Sequence, residues 1–267
     1  ENYNTLVGLL KNKKNLILQG APGVGKTFAA TRLAYSMMGE KDDSRIEFVQ
    51  FHQNYSYEDF IMGYKPQDEG FKLTNGIFYQ FCMNAAEHPD KDFFIIDEIN
   101  RGNMSKIFGE LLMLIEKDYR GTTVTLAYSR TAFSVPKNLY IIGMMNTADR
   151  SLAMIDYALR RRFSFYEMEP GFNSEGFKAY QASLKNETFN TLIEQIIDLN
   201  REINIDDSLG PGFRIGHSYF CGQEECTEEW MKAVVYYDII PMLQEYWFDD
   251  RQKVKRWENL LIGVFND

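Results

Sequence analysis

The chain has 267 residues, 45% of them hydrophobic and 25% charged, the balance of an ordinary water-soluble globular protein with room for two domains. No apolar run approaches the roughly 20 residues that a membrane-crossing helix needs, and no signal-peptide pattern stands at the N-terminus. A formal charge of -9 argues against a broad basic face for DNA phosphates.

The chain opens on Glu1 and not Met, and reads as an excised fragment. Three cysteines, Cys82, Cys221 and Cys226, make an odd count that fits reduced thiols in the cytoplasm. His217 lies near the last two, but the spacing lacks a second Cys or His pair and zinc is not expected.

In chain order, Leu16-Ile17-Leu18 is a short apolar strand ending at Gly20, followed by a helix from Lys26 to about Met38. Strands are expected at Ile46–Phe51, Phe93–Ile96, Leu139–Met145 and Phe163–Tyr166, mostly separated by helical patterns. Phe93–Ile96 is apolar on both faces, as buried strands of a parallel sheet are. That alternation predicts an α/β domain with a largely parallel sheet. Tyr57–Ile61 reads as helical, with Gly63-Tyr64-Lys65-Pro66 stopping it. Gly70–Leu73 and Ile77–Tyr79, around Asn75-Gly76, read as a hairpin insert. Helical pattern then resumes through Ala86, and a second hairpin is expected within Thr122–Val135. Strand signals fade after Pro170-Gly171. Leu192, Ile193, Ile196, Ile197 and Leu199 fall at helical spacing, as do apolar residues of Thr227–Trp247, where Pro241 is expected to bend the helix. The division is therefore set at 1–170 for a nucleotide-binding α/β domain and 171–267 for a small helical lid.

Gly20-Ala21-Pro22-Gly23-Val24-Gly25-Lys26-Thr27 matches the Walker A pattern at every fixed position, between a strand and a helix. Its glycines permit a tight loop whose backbone N–H groups point at phosphate oxygens, and the helix N-terminus that follows favours anions. Lys26 is expected to reach the β- and γ-phosphates and the Thr27 hydroxyl to bind Mg²⁺. Gly20, Pro22, Gly23, Val24, Gly25 and Phe28 complete the phosphate-binding set. Phe93–Ile96 delivers Asp97-Glu98 to the carboxyl edge of the sheet. There Asp97 suits Mg²⁺ and Glu98 suits orienting the attacking water. Asn146, at the end of the next strand, is placed to position that water. Asn146-Thr147-Ala148-Asp149 also looks like the guanine reader of small GTPases with Thr147 in place of Lys, but this strand end faces the γ-phosphate. Asp149 is kept as a nucleotide contact. Arg160-Arg161-Arg162 ends a short helical stretch; Arg161 and Arg162 are the candidates for an arginine reaching a neighbouring subunit's site, with Arg160 and a merely solvated helix end as alternatives.

These phrases together resemble the McrB family of AAA+ GTPase motor domains. The resemblance is carried by Phe48–Gln53 with Tyr55–Phe60, Asp97–Asn103, Met145–Ser151, Tyr157–Phe165 and Gly212–Phe220, and it spans nearly the whole chain. It implies the AAA+ fold with a hairpin insert at residues 63–79 and a helical lid, GTP and Mg²⁺ as cofactors, and hydrolysis in a homo-hexameric ring. It further implies a McrC-like endonuclease subunit as partner, DNA reached through a separate N-terminal domain or the assembled ring, and a role in modification-dependent restriction. Asn100 and Arg101 match positions near the subunit interface. One departure stands out: the lid Arg usual in AAA+ proteins has no clean equivalent. Arg214 and His217 are its candidates, with His217 equally readable as a packed core residue. A MoxR-like ATPase remodelling protein partners, and a ring that binds nucleotide with little hydrolysis, are the competing readings. No residue in the sequence explains a choice of guanine over adenine.

Overall fold

The computed structural model describes residues 2–68, 70–148 and 157–266. Two compact units are present: residues 1–19 with 26–167, and residues 20–25 with 168–267.

The first unit carries a five-stranded parallel sheet in the order β2-β5-β8-β1-β9. Its elements in chain order are α1 (Asn2–Lys13), β1 (Asn15–Gly20), α2 (Lys26–Met38), β2 (Ile46–Gln50), α3 (Tyr57–Phe60), β3 (Met62–Gln67), β4 (Gly70–Asn75), α4 (Ile77–Ala85), β5 (Asp92–Asp97), α5 (Met104–Phe108), β6 (Thr123–Thr125), β7 (Ala132–Ser134), β8 (Leu139–Asn146), α6 (Tyr157–Arg162) and β9 (Ser164–Met168). β1, β5 and β8 are nearly continuous runs of buried residues because they lie in the sheet interior, with strands on both sides. Register places Gln50 opposite Asp97 and Ile96 opposite Gly143. A Cβ on Gly143 would stand 2.6 Å from Ile99 Cδ1, so the turn after Asp97-Glu98 folds directly onto β8. The core beneath is aromatic. Phe60 meets Phe78 at 4.8 Å, Phe94 at 5.6 Å and Phe108 at 4.7 Å between ring centroids.

One buried cation stitches this unit. Arg120 donates to the carbonyls of Ile115 and Leu139 and to Asn15 Oδ1, and burial pushes its pKa down to about 10. Asn15 in turn donates to Arg162 O at 3.0 Å, and Lys13 Nζ donates to Phe163 O at 3.0 Å. The last carbonyls at the end of α6 are thereby satisfied, and a cation is well placed beside them.

The insert differs from the sequence expectation in register. The hairpin is β3 with β4, paired from Met62 with Asn75 to Gln67 with Gly70. Gly63–Pro66 is therefore strand and not a stop, and Pro66 is tolerated because a two-stranded ribbon leaves each strand an open edge. Ile77–Tyr79, expected as the return strand, begins α4. Phe78, Phe81, Cys82 and Ala85 bury one helical face, and a Cβ on Gly76 would stand 2.4 Å from Phe60 C, so Gly76 caps a helix packed hard on α3. The second hairpin pairs β6 with β7, as expected within Thr122–Val135.

The second unit holds α7 (Glu175–Leu184), α8 (Glu187–Ile205), α9 (Glu228–Ala233), α10 (Ile240–Tyr246) and α11 (Arg251–Gly263). Side chains of Ser174, Asn186, Thr227 and Asp250 each accept from an N–H three residues on, fixing four of the five N-termini. Phe189, Leu192, Ile193, Ile196, Leu199 and Ile203 of α8 form its buried stripe. Where a bend was expected at Pro241, a π-helical turn at Val234–Ile239 joins α9 to α10. The wider i→i+5 pattern takes up the strain of a residue that cannot donate and whose ring crowds the preceding turn.

Candidate functional site

The loop from Gly20 to Gly25 leaves β1 and leads into α2. Gly23 (φ +75°) and Gly25 (φ +82°) are left-handed, a conformation that turns successive N–H groups to one side at no side-chain cost. Val24, between them, is 1% exposed and anchors the loop. In the same unit a lid strap lies along this loop. Gly216 N donates to Pro22 O at 3.2 Å and Ser218 N to Gly23 O at 2.9 Å. No side chain fits at Gly216, since a Cβ there would stand 2.0 Å from Gly23 C. This strap was missed by sequence reasoning, which quoted Gly216 only within a longer phrase.

His217 follows immediately. Its Nδ1 accepts from Gly171 N at 2.9 Å, which leaves the proton of the neutral ring on Nε2. Cε1 lies 3.8 Å from where a Cβ on Gly25 would stand. Phe172 and Phe177 meet the ring edge-to-face, and burial lowers its pKa, so the neutral form dominates at pH 7. Arg214, the other lid candidate, donates from Nε to Pro211 O at 3.0 Å and stands 3.5 Å from Glu169.

Within the first unit, Lys26 opens α2 and Asp97 closes β5. Lys26 Nζ donates to Asn146 Oδ1 at 2.7 Å, and Asn146 Nδ2 donates to Glu98 Oε1 at 2.7 Å. Only this amide orientation pairs donor with acceptor at both ends. Burial pushes the Lys26 ammonium down to about 8, against the opposing pull of the Glu98 and Asp97 carboxylates. Burial also raises the pKa of Asp97, whose Oδ1 accepts from Glu98 N at 3.0 Å. Glu98 is 8% exposed and left-handed (φ +50°), a conformation costing a bulky residue about 1–3 kcal/mol. Its Oε2 lies 3.2 Å from Arg101 Nε without hydrogen-bond alignment, and Asn100 Oδ1 is buried with no hydrogen bond among the described residues. Lys26, Glu98 and Asn146, named separately from three motifs, are thus one hydrogen-bonded chain.

The remaining candidates are distributed more widely. Thr27 is exposed in the first turn of α2, and Phe28 beside it is 66% exposed, its ring 4.9 Å from the Arg32 guanidinium carbon. Arg161 has a side chain 67% exposed and pairs with Glu116 at 3.1 Å. Arg162 turns inward: it is 14% exposed, donates to Leu112 O at 2.8 Å and pairs with Glu116 at 2.9 Å. Asp149 lies outside the described residues.

The chain's sequence places it among known proteins. Residues 15–163 match the AAA domain of the dynein-related subfamily, and residues 191–255 match the alpha-helical lid domain of McrB. The chain is 54% identical, over 97% of its length, to the McrB subunit of the type IV methyl-directed restriction enzyme EcoKMcr of Escherichia coli, and it spans 59% of that relative's length. It is 27% identical to YdiS, a component of the type II restriction enzyme BsuMI of Bacillus subtilis, over 75% of this chain and 72% of YdiS.

Proposed function

Because the chain belongs to the AAA domain family, dynein-related subfamily, a family of P-loop nucleoside triphosphatases, we propose that it is a Mg²⁺-dependent GTPase driving a modification-dependent restriction complex. The likeness to the E. coli subunit, over 97% of this chain and 59% of that relative, supports this, and the observation that carries the chemistry is the hydrogen-bonded chain from Lys26 through Asn146 to Glu98.

In this reading the Gly20–Gly25 amides and Lys26 bind the β- and γ-phosphates. Lys26 exchanges its bond to Asn146 for phosphate oxygens, which frees the Asn146 amide to orient water beside the Glu98 carboxylate. His217, a neutral Nε2–H donor held against the loop by Gly171, contacts the nucleotide from the lid. Thr27 and Asp97 fit a divalent cation: a hydroxyl at the head of α2, and a carboxylate whose raised pKa reflects burial beside a second acid. Mg²⁺, when bound, supplies charge neutralisation on the phosphates. Arg160 and Arg161 are both exposed while Arg162 turns inward, and of the two expected candidates Arg161 is the one exposed enough to serve a neighbouring subunit's site. The assembly is a homo-hexameric ring with a McrC-type endonuclease partner, reaching DNA through the ring or a separate N-terminal domain.

Turnover of GTP and ATP measured side by side, for the wild type and Lys26→Ala, tests the reading. Faster GTP turnover that is abolished in Lys26→Ala is expected. ATP preference would point instead to a protein-remodelling ATPase, and full activity in Lys26→Ala would remove the P-loop from the mechanism.

A further inference from the structure

The second unit contains a cavity of about 250 Å³ whose position and lining point to the nucleobase. Its walls come from Glu169, Pro170, Phe172 and Asn173 at the entry to the unit, Asn204 on α8, and Arg214. Sites for whole small molecules run to about 300–1,000 Å³, so this one has room for a fragment, such as a bicyclic base, and not for a complete nucleotide.

The segment bearing Glu169 and Pro170 meets the phosphate loop directly on one side and through His217 on the other. Before it, Met168 O lies 2.5 Å from where a Cβ on Gly20 would stand. After it, Gly171 N donates to His217, whose ring lies against Gly25. All of these residues belong to one compact unit. The segment that lines the cavity is thus the one that neighbours the phosphate loop, which links the cavity to a nucleotide held there. The far wall is rigid, because the Asn200 amide bonds both Ile215 N (2.6 Å) and Ile215 O (2.8 Å), locking α8 to the strap that carries Arg214.

Resting on the GTPase reading above, we propose that this cavity selects guanine over adenine, with the Glu169 carboxylate accepting from the N1–H and 2-amino groups. A carboxylate is an acceptor only, and guanine presents two adjacent donors to it. Adenine offers an acceptor at N1 instead, which a carboxylate repels. Glu169 is 74% exposed at its side chain, and Arg214 Nη1 stands 3.5 Å from Oε1, orienting the carboxylate without covering it. The side-chain amides of Asn173 and Asn204 take no hydrogen bond from other described residues and supply NH₂ donors for O6 and N7. Pro170 and Phe172 give the faces of the base an apolar seat.

The test is the ratio of kcat/KM for GTP to that for ATP and for ITP, which lacks the 2-amino group. It is measured in the wild type, Glu169→Gln, Asn173→Ala and Asn204→Ala, with circular dichroism confirming that each variant folds. Sites built around hydrogen bonds to a substrate discriminate strongly against analogues that lack them. Glu169→Gln is expected to lower the GTP/ATP and GTP/ITP ratios at least tenfold, and either Asn→Ala variant to lower GTP/ATP about threefold or more. Ratios within twofold of wild type in all three folded variants would overturn the assignment while leaving the GTPase reading intact. A wild type without GTP preference would instead sink that reading, and this inference with it.

Discussion

Asn146 donates from Nδ2 to Glu98 Oε1 at 2.7 Å, and with its other amide atom holds Lys26 at the same distance. A carboxylate whose own left-handed backbone is strained is thus kept in place by a neutral amide that a phosphate-bound Lys26 would release. Asn146→Ala should lower kcat by about 10²-fold or more, in the range found when one positioned donor is removed. KM should change far less. A KM effect equal to the kcat effect would show that Asn146 serves binding and not the water.

Glu98→Gln keeps the shape and the hydrogen bond from Asn146 but removes the charge that polarises water. Nucleotide should bind with nearly wild-type affinity and turn over very slowly. Fluorescent-nucleotide titration beside phosphate release separates the two steps, and near-normal turnover would take Glu98 out of the mechanism.

Burial disfavours the charge of Lys26 and pushes its pKa down to about 8. Phosphate favours the charged form, so binding raises this pKa. Affinity should therefore be flat below about 8 and fall as pH rises above it, by up to tenfold per pH unit. Calorimetry at pH 8.5 in buffers of different ionisation enthalpy should report proton uptake on binding, and an absence of uptake would contradict the assignment.

Arg161 and Arg162 are neighbours with opposite exposures. Arg162→Ala removes a bond to Leu112 O and half of the clasp on Glu116, and should cost about 1–3 kcal/mol of stability in a urea melt. Arg161→Ala should stay within about 0.5 kcal/mol of wild type. In assembled rings it should nevertheless lower turnover by about 10³-fold, the scale of a lost arginine finger. Equal turnover in wild-type and Arg161→Ala rings would shift the role to another residue.

Burial would raise the pKa of Asp206, but bonds from Lys253 (2.6 Å), Ser208 (2.5 Å) and Trp247 (2.9 Å) outweigh it and hold the carboxyl well below the usual range. A depressed carboxyl contributes stability above its unfolded pKa of about 3.9 and loses it as pH falls through the folded value. Asp206→Asn should cost about 1–3 kcal/mol at pH 7. The gap from wild type should narrow as pH drops below about 4, as melts across that range would report.

Much of the fold was legible because it is written in local pattern. Continuous apolar runs identify β1, β5 and β8, and the 3.6-residue stripe of α8 identifies a packed helix. The insert was misread at Ile77–Tyr79 because three apolar residues after Asn75-Gly76 suit a strand as well as a helix. Contact of Gly76 with Phe60 decides between them. α7 and α11 were not singled out, since each offers only a short pattern of apolar positions on one face, Phe177, Tyr180 and Leu184 in one and Val254, Trp257 and Leu261 in the other.

The residue types for gripping phosphate, holding a cation and ordering water are specified by sequence alone, because glycine's left-handed freedom and the chemistry of Lys, Asp and Glu are properties of single residues in short spacings. Tertiary structure alone decided which atoms meet. The bond from Asn146 to Glu98, the Gly216 strap on Gly23 and the turn of Arg162 toward Leu112 each join positions tens to nearly two hundred residues apart. Contacts at that range depend on how distant segments pack, and no local spacing encodes them.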